Sequence, residues 1–390
     1  MKIGIDGRVL MDKHYSGVSY YGHNLIKALV ARNKHSYSLF YNSFHKLDES
    51  LLSLAPYKIS RIPNKIFNYI LQLFLAYPKT DKYLGGVDIM LAPHINFLSW
   101  SSDTKKILVI HDLSFLRQKN FFSWRKNIWH KLLGVEKLVS QADAIIAVSY
   151  STKREIVELL KVPESKVFVI HSGIDAPKLN ESDLNRVNNV YDLPENYLLY
   201  LGNIEPRKNI VNLIKAFELL KEKPKFAEYQ LILGGSWAWK ISEIKDAWLK
   251  SKFKADIRFL GYIKHSDKAA LYSLAKAFIY PSYYEGFGFP PLEAMAYGCP
   301  VVASNLSSLP EILSEASLYV NPFDYKDMAK IISELLEDKD LYNLMKEKGF
   351  SRVKDFSWDK TAEAYENLFN DLYEKNSKKE SLSSPVRRCR

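Results

Sequence analysis

Short apolar runs recur along the chain, and each is followed by a longer segment whose apolar residues return with helical spacing. Continuous apolar strands that alternate with helices are typical of parallel sheets covered on both faces. Each half of the chain has too many such runs for one ordinary mononucleotide-binding fold, so the pattern predicts two doubly wound α/β domains in tandem. The runs are KIGID, YSLFY, DIMLA, KILVIHD, AIIAVS and VFVIHSG in the first half, and YLLYLGN, YQLILGG, IRFLG, AFIYPS, PVVAS and ASLYV in the second.

A polar, turn-rich stretch over 176–196 separates the two halves. We therefore predict an N-terminal Rossmann-like domain over 1–185 and a C-terminal Rossmann-like domain over 186–355. A helix is expected over 356–375, where apolar residues have helical spacing and Ser357 is an N-cap candidate. Residues 376–390 have almost no apolar content, which predicts a disordered basic tail.

Composition agrees with a soluble globular protein, since 47% of the 390 residues are hydrophobic and 25% are charged. The N-terminus reads as a buried strand, so no signal peptide is expected. The longest apolar run, 66–77, is too short to cross a bilayer. The two cysteines, Cys299 and Cys389, have neither metal-ligand spacing nor the pattern of a disulfide framework, which favours a reduced cytoplasmic location.

The net charge of +11 is concentrated in residues 1–190. A basic half indicates an anionic partner such as a phosphate ligand, a nucleic acid or an acidic membrane surface, or else only a well-solvated surface. No RNP, helix-turn-helix or zinc signature is present, so we expect no nucleic-acid partner. The aromatic and basic segments 57–79 and 121–133 are either a loose contact with an anionic inner membrane surface or two helices packed on the sheet.

A basic turn follows the first strand of the second half. In LGNIEPRKN, Gly202 stands at the turn, and Arg207 and Lys208 come near a helix start. Cations there oppose the helix dipole at a cost of about 0.3–1 kcal/mol each. A phosphate would remove that conflict, because the helix N-terminus and both cations would then meet one anion. The alternative is an exposed basic turn.

A second ligand-binding pattern follows AFIYPS, in YEGFGFPPLEAMAYG. Gly286 and Gly288 allow a close approach of backbone N–H groups to a ligand, and the two prolines after them suit the first turn of a helix. Glu285 and Glu293 stand on either side of this turn. Two carboxylates beside a phosphate site require hydroxyl donors, which the ribose and hexose of a sugar nucleotide would supply.

This stretch resembles the E-x7-E signature of the retaining glycosyltransferases of family 4 (glycosyl transferases group 1). GNIEPRKN is similar to the donor-phosphate motif of that family, and HDLSF, AVSYST and FSWDKTAEAY follow in the order of the family. The resemblance implies the GT-B fold, in which two Rossmann-like parallel-sheet domains face a cleft. It also implies that the C-terminal helix crosses back to the N-terminal, acceptor-binding domain and that the C-terminal domain binds the nucleotide sugar.

The resemblance also assigns roles to individual residues. Arg207 and Lys208 would hold the diphosphate, Glu293 the ribose, and Glu285 with the following backbone the sugar and its phosphates. His111, at a strand end, would lie near the reacting centre. The catalytic candidates are His111, Arg207, Lys208 and Glu285, and the donor-binding candidates are Gly17, Gly202, Arg207, Lys208, Gly261, Tyr262, Glu285, Gly286, Phe287, Gly288, Leu292 and Glu293.

We therefore expect a retaining hexosyltransferase that moves mannose, from GDP-mannose in preference to a UDP-sugar, to a polysaccharide or lipid-linked saccharide. No cofactor and no metal are expected, because the D-x-D of 338–340 lies in a polar helix–turn–helix surface and favours a solvated turn. A non-catalytic sugar-nucleotide-binding protein and a sugar-nucleotide epimerase on the same fold stay open as alternatives. The expected location is the cytoplasm, with or without contact at the cytoplasmic face of the membrane.

Overall fold

The structure is a computed structural model, and it describes residues 1–12, 16–63, 66, 79–118, 121, 128–129 and 131–383. In this part of the chain two parallel sheets form, one from each half, as the apolar runs predict. The first sheet has the order β3-β2-β1-β4-β5-β6-β7 and the second the order β10-β9-β8-β11-β12-β13. Both orders reverse beside the first strand of the sheet, which is where doubly wound folds bind their ligands.

The central strands are short and mostly buried, which explains why they are continuous apolar runs in the sequence, whereas the edge strands β3, β7, β10 and β13 are only partly buried. The strands of the first sheet are β1 Lys2–Asp6, β2 Ser36–Asn42, β3 Tyr57–Ser60, β4 Ile89–Ala92, β5 Lys105–Ile110, β6 Ala144–Ala147 and β7 Val167–Val169. Those of the second sheet are β8 Tyr197–Leu201, β9 Gln230–Gly234, β10 Ile257–Gly261, β11 Ala277–Tyr280, β12 Val301–Ser304 and β13 Ser317–Val320.

Helices of the described residues connect and cover these strands. In the N-terminal half they are α1 Gly17–Arg32, α2 Glu49–Leu52, α3 Thr80–Tyr83, α4 Ser114–Arg117, α5 Val135–Gln141 and α6 Tyr150–Leu160. In the remainder they are α7 Glu181–Tyr191, α8 Ile210–Lys221, α9 Ser242–Lys250, α10 His265–Leu274, α11 Phe289–Ala296, α12 Leu309–Leu313, α13 Tyr325–Glu337, α14 Lys339–Val353 and α15 Trp358–Ser383.

The edge strand β3 was not among the predicted strands. It lies at the start of the aromatic and basic segment 57–79, for which the sequence favours a helix or a membrane contact, and so the structure corrects that interpretation for Tyr57–Ser60. The remainder of that segment, apart from 61–63, 66 and 79, and most of the segment 121–133 lie outside the described residues. No helix of the described residues is long and apolar enough to cross a membrane.

The stretch between the halves contains a helix that sequence reasoning missed. Helix α7 begins after Asn180, whose side chain accepts a hydrogen bond from the backbone N–H of Asp183, and the predicted boundary after residue 185 falls inside this helix. Arg186 and Tyr191 both bond to Asp267 of α10, at 2.9 Å each, so α7 packs on the C-terminal half.

The final helix returns to the N-terminal domain, as the resemblance implies. Ser357 caps it, because its Oγ accepts the backbone N–H of Asp359 at 3.2 Å. Arg32 of α1 bonds to Asp359 at 2.6 Å and to Glu366 at 2.9 Å, and the hydroxyls of Tyr21 and Tyr365 share a buried hydrogen bond.

This helix is longer than the predicted 356–375. It continues to Ser383, so the predicted disordered tail does not begin at 376, and 384–390 lie outside the described residues. A helix already nucleated by the packed turns before it adds a residue at little cost, which accounts for the extension into a polar sequence.

The D-x-D pattern at 338–340 is part of a helix cap. The side chain of Asp338 accepts hydrogen bonds from the backbone N–H groups of Asp340 and Leu341, both at 2.9 Å, at the start of α14. The residue that would have been the first metal ligand is thereby used as an N-cap.

Candidate active site

The two domains contact each other where the loop after β11 lies against the loop after β5. A Cβ atom placed on Gly286 would lie 1.8 Å from the carbonyl oxygen of His111, so only glycine allows this contact between the domains. The carbonyl oxygen of Gly286 accepts hydrogen bonds from Ser149 Oγ at 2.8 Å and from Thr152 Oγ1 at 3.3 Å. The strand ends of both domains therefore form one cleft.

We call residues 285–288 the donor loop. Its carbonyl groups also accept hydrogen bonds from within the C-terminal domain, because Ser308 Oγ bonds to the carbonyl oxygens of Glu285 and Phe287 at 3.0 Å each. Gly288 follows with a φ of 108°, in the left-handed region that favours glycine, and serves as the N-cap residue of α11. This turn allows the chain to pass directly from the loop into the helix that carries Glu293.

Both predicted cations lie beside the donor loop, in a single 3₁₀ turn over Pro206–Lys208. Lys208 is buried, bonds to Glu285 Oε1, and donates to the hydroxyl of Tyr280 at 2.8 Å. Nη1 of Arg207 donates to the carbonyl oxygen of Tyr284 at 3.2 Å and lies 3.7 Å from Glu285 Oε2. The structure therefore brings Arg207, Lys208 and Glu285 together. Lys208 and Glu285, which bond to each other, are 77 residues apart in the sequence.

The charged groups of this cluster shift one another's pKa values. Burial would raise the pKa of Glu285, but the nearby charges of Lys208 and Arg207 outweigh burial and lower that pKa. Burial lowers the pKa of Lys208, and Glu285 offsets only part of that effect. For Arg207 the neighbouring carboxylates outweigh burial, so its pKa is raised and the guanidinium stays charged. Glu285 is consequently an ionised hydrogen-bond acceptor at neutral pH.

Sequence reasoning missed a further carboxylate, Glu205. Glu205 is only 2% exposed, and its Oε1 accepts two hydrogen bonds from Arg207, at 3.1 Å from Nε and 3.0 Å from Nη2. Its other oxygen, Oε2, is buried and has no hydrogen-bond partner among the described residues. The signal was available, because Glu205 precedes Arg207 by two residues in the same turn. Glu205 fixes one side of the guanidinium and leaves Nη1 facing the donor loop.

His111 occupies the N-terminal side of the cleft, immediately after β5. Its Nε2 lies 2.8 Å from the carbonyl oxygen of Pro93, and its ring packs edge-on against Tyr21 at 4.7 Å between centroids. Burial lowers the pKa of His111, more than the Pro93 carbonyl and Asp112 raise it, so the neutral ring is favoured. Neutral His111 can donate or accept a hydrogen bond but does not add a permanent charge.

Asp112 lies between the histidine and the cation cluster. Its Oδ2 is 3.9 Å from Nη1 of Arg207, and its Oδ1 accepts the backbone N–H of Ser114 at 3.0 Å. Burial would raise the pKa of Asp112, but Arg207 and the Ser114 hydrogen bonds lower it overall. Asp112 thus both caps the following segment and faces the cluster across the cleft.

Glu293 is the fifth of the eight residues of α11, one turn into the helix, and is 7% exposed. Its Oε2 accepts a hydrogen bond from the hydroxyl of Tyr272 at 2.9 Å and lies 3.5 Å from Nζ of Lys268. One helix thereby connects Glu293 to the donor loop that carries Glu285, which is the arrangement that the spacing of the two glutamates predicts.

The remaining donor-binding candidates have different surroundings. Gly17 is the first residue of α1 and faces Phe289 of the C-terminal domain, since an added Cβ would lie 3.7 Å from the Phe289 ring. Gly202 follows β8, and Gly261 is the last residue of β10. Gly235, which sequence reasoning missed, contacts both: its N–H donates to the Gly261 carbonyl at 2.7 Å, and a Cβ placed on it would lie 1.8 Å from the Gly202 carbonyl oxygen.

Three of the side chains named from the sequence differ in exposure. Tyr262 is 54% exposed, so its ring is free to contact a ligand. Phe287 is buried and packs on Phe289 at 5.1 Å between ring centroids. Leu292 is fully buried in the hydrophobic core, so its side chain does not line the cleft and only its backbone could face a ligand.

A polar cavity of about 420 Å³ lies in the N-terminal domain on the same side as His111. Its lining includes Arg8, Asp12, Ser16, Asn42, His94 and Asn96. The ring of His94 is 6.1 Å from that of His111, which connects the cavity to the cleft. Amide, carboxylate and guanidinium groups of this kind bind hydroxyl-rich ligands through hydrogen bonds. Among the described residues, no group of three or more His, Cys, Asp or Glu side chains is arranged to hold a metal ion.

Comparisons with known proteins agree with this geometry. The family model of glycosyl transferases group 1 matches residues 181–352, and that of glycosyltransferase family 4 matches residues 15–177. The chain is 31% identical over 271 residues to O-antigen chain mannosyltransferase B of Escherichia coli, an alignment that covers 68% of this chain and 71% of the relative. It is also 32% identical over 272 residues to the serotype-specific mannosyltransferase WbdA of Escherichia coli, covering 66% of this chain.

The WbdA protein is much longer, and the alignment spans only 32% of its length. Among solved structures, sucrose-phosphate synthase from Thermosynechococcus elongatus superposes with a TM-score of 0.73 at 20% identity, over 96% of this chain and all of that one. At such low identity the likeness establishes the two-domain fold alone.

Proposed function

The chain belongs to the group 1 glycosyltransferases of family 4, and from this premise we propose that it transfers mannose from GDP-mannose to a saccharide acceptor. It is a hexosyltransferase by family. GDP-mannose is favoured over a UDP-sugar because the relatives of about 31% identity are named mannosyltransferases of O-antigen chains. The proposed acceptor is a growing polysaccharide or a lipid-linked saccharide.

The observation that carries this proposal is the cluster of Arg207, Lys208 and Glu285 at the contact between the domains. Nη1 of Arg207 donates to the Tyr284 carbonyl, and its distances to the carboxylates of Glu285 and Asp112 are 3.7 and 3.9 Å, which are charge interactions and not hydrogen bonds. A diphosphate can replace them with short charge-assisted bonds. Glu285, kept ionised, then accepts hydrogen bonds from sugar hydroxyls, and Glu293 from those of the ribose.

Leaving-group stabilisation falls to Arg207, Lys208 and the N-terminus of α11 in this proposal, with no metal ion. Preorganised charges in a site closed to water can stabilise a departing diphosphate without reorganisation. Complete loss of transfer in EDTA, restored by Mn²⁺, would overturn this part of the proposal.

We propose that the transfer retains the anomeric configuration. The lowered pKa of Glu285 and its bond to Lys208 make it a weak nucleophile, which favours attack by the acceptor on the same face as the departing diphosphate. The diphosphate then takes the proton of the acceptor hydroxyl. An inverted product linkage, read by NMR of the anomeric proton, would exclude this route.

The acceptor is proposed to enter through the polar cavity beside His94, since its lining suits saccharide hydroxyls and not a lipid chain. A lipid carrier would then stay outside, at the cytoplasmic face of an anionic membrane. The exposed apolar residues Ile128, Trp129 and Leu132 and the basic N-terminal half support a loose, peripheral contact of this kind. Sedimentation with anionic but not with neutral vesicles would test it.

A thermal-shift screen tests the donor. GDP-, UDP-, ADP- and dTDP-sugars are each added to the full chain, and a donor at 100 times its Kd should stabilise the protein by about 2.7 kcal/mol. We expect GDP-mannose to give the largest shift. A shift with UDP-sugars only would be consistent with a glycosyltransferase but would overturn the choice of GDP-mannose as donor.

A further inference from the structure

A carboxylate outside the cation cluster joins the two domains. Glu311 lies on the short helix α12 of the C-terminal domain, and its two oxygens bond to backbone N–H groups of the N-terminal domain. Oε1 accepts from Tyr150 at 2.8 Å, and Oε2 accepts from Ser151 at 3.0 Å. Both donors belong to the first turn of α6, so Glu311 binds the end of that helix with both oxygens.

The first turn of α6 is complete only with this carboxylate. The N–H of Thr152 bonds to Ser149 Oγ at 3.0 Å, and the N–H of Lys153 bonds to the Ser149 carbonyl at 2.9 Å. The two N–H groups before them have no acceptor within their own helix, as at every helix start. Glu311 supplies both acceptors from the opposite domain, and its negative charge suits the positive end of the helix.

Glu311 also holds His171, in the segment that leads out of the N-terminal domain. Nε2 of His171 lies 2.8 Å from Glu311 Oε1, and the carbonyl oxygen of His171 accepts a hydrogen bond from Thr361 of α15 at 2.8 Å. The C-terminal domain, the connecting segment and the crossover helix thus meet at one residue.

The same helix end touches the donor loop. Ser149, the cap residue of α6, and Thr152 bond to the Gly286 carbonyl, while Ser308, on the segment that leads into α12, bonds to the carbonyls on either side. Helix α12 is itself anchored, because Arg352 bonds to the Glu311 carbonyl at 2.9 Å. Movement of Glu311 away from α6 would therefore release the donor loop from its N-terminal partners.

We propose that Glu311 is a positioning residue for sugar transfer, which fixes the start of α6 against the donor loop and so sets the geometry of the cleft without touching the donor. The contacts that define this role do not depend on the donor or acceptor. Its consequence for catalysis rests on the proposed mannosyl transfer, so the test needs one readout that is independent of activity.

Hydrogen exchange of the full chain supplies that readout. In Glu311→Ala, the Tyr150 and Ser151 amides should exchange at least about tenfold faster, because a hydrogen bond to a charged group is lost at each. Glu311→Gln keeps the shape and one acceptor oxygen, and should give a smaller increase. Glu315→Gln is the matched control, since Glu315 is exposed and pairs with Lys348 of the same domain.

Transfer from GDP-mannose gives the second readout. We expect kcat of Glu311→Ala to fall about tenfold or more while KM for the donor changes less than about twofold, since a residue that does not touch the donor acts after donor binding. Unchanged exchange at Tyr150 and Ser151, or an equal change in the Glu315 control, would overturn the proposal. Absence of GDP-mannose turnover in the unmodified chain would count against the proposed function only, and exchange would still decide the role of Glu311.

Discussion

Two cations and three carboxylates share the cleft, and their pairing leaves neither cation without a counter-charge. Glu205 is paired with Arg207 and Glu285 with Lys208, so neither buried cation lacks a counter-charge. Nη1 of Arg207 bonds to the Tyr284 carbonyl and lies 3.7 and 3.9 Å from the carboxylates of Glu285 and Asp112, beyond hydrogen-bond distance. This is the position from which we expect Arg207 to bind a diphosphate.

The proposed ribose role of Glu293 can be tested by removing its carboxylate. In Glu293→Ala, donor binding should weaken by about 2 kcal/mol, because the hydroxyl groups of the ligand lose a charged hydrogen-bond acceptor. Isothermal titration with GDP-mannose measures this loss. Glu334→Ala serves as the control, because Glu334 is a surface carboxylate paired with Lys330 on the same helix. Equal binding by the two variants would remove Glu293 from the donor site.

Glu205 should matter for both stability and donor binding. Glu205→Ala leaves Arg207 without its nearest counter-charge, and we expect a loss of about 3 kcal/mol in the free energy of unfolding, measured in urea. Glu205→Gln, which keeps a hydrogen-bond acceptor, should fold more stably than the alanine variant but raise the KM for the donor. A glutamine variant with unchanged KM would show that Glu205 does not orient Arg207.

At the scale of elements, the donor loop depends on one contact between backbones. In Gly286→Ala, the new methyl group would overlap the His111 carbonyl, and relief requires the two loops to separate. We expect the transfer rate to fall at least about tenfold, since overpacking of this kind costs about 1–3 kcal/mol. Gly349→Ala is the control, because its Cβ would meet the flexible side chain of Met295 at 3.2 Å. Retained activity in Gly286→Ala would contradict the packed cleft.

Most elements were predictable because their burial leaves a pattern in the sequence. Every apolar run named from the sequence forms a strand, and Ser357 begins the last helix as expected. The missed strand, Tyr57–Ser60, is a four-residue edge strand with two exposed residues, so it carries little apolar signal. The missed helix α7 buries only Val187, and its polar residues look like a linker.

The candidate site was predictable in its parts but not in its assembly. The motifs identified Arg207, Lys208, Glu285 and Glu293, because glycines, prolines and charges in those orders suit an anion site. The contact of Gly286 with His111 joins residues far apart in the chain, and no local pattern encodes it. Leu292 was named as a donor-binding residue because it lies in the motif, but its side chain packs in the core. The position of a residue in a motif therefore does not tell whether its side chain faces the cleft.

At the scale of the whole molecule, histidines whose pKa is lowered by the fold make stability depend on pH. Burial lowers the pKa of His23, His35, His111 and His265, so each binds a proton more readily in the unfolded chain. Where the unfolded state binds more protons, stability rises with pH. We therefore expect the melting temperature to fall as the pH drops below about 6.5, the ordinary histidine pKa.

Carboxylates in and beside the cleft add to this loss at lower pH. The pKa values of Asp112, Glu285 and Glu311 are lowered in the folded protein, so their stabilisation is present at neutral pH and is lost as the pH falls below the ordinary carboxyl range. Calorimetry between pH 7.5 and pH 4 measures both effects. His111→Gln should reduce the slope near pH 6, and a melting temperature that rises on acidification would contradict the account.

The crossover helix α15 connects the parts of the molecule, since it bonds to Arg32 of α1 and, through Thr361, to the segment between the domains. The fold thereby holds the polar cavity beside His94, His111 and the donor loop in one arrangement. What the molecule does with that arrangement depends on whether the cation cluster binds and releases a nucleotide diphosphate.

The most direct measurement is GDP release from GDP-mannose in the presence of EDTA and a saccharide acceptor, compared between the unmodified chain and Arg207→Ala. We predict acceptor-dependent GDP release by the unmodified chain, reduced at least about thirtyfold in the variant, because a charged ligand group loses its partner at a cost of about 2 kcal/mol. Equal rates for the two proteins, or no release of GDP by the unmodified chain, would contradict the account.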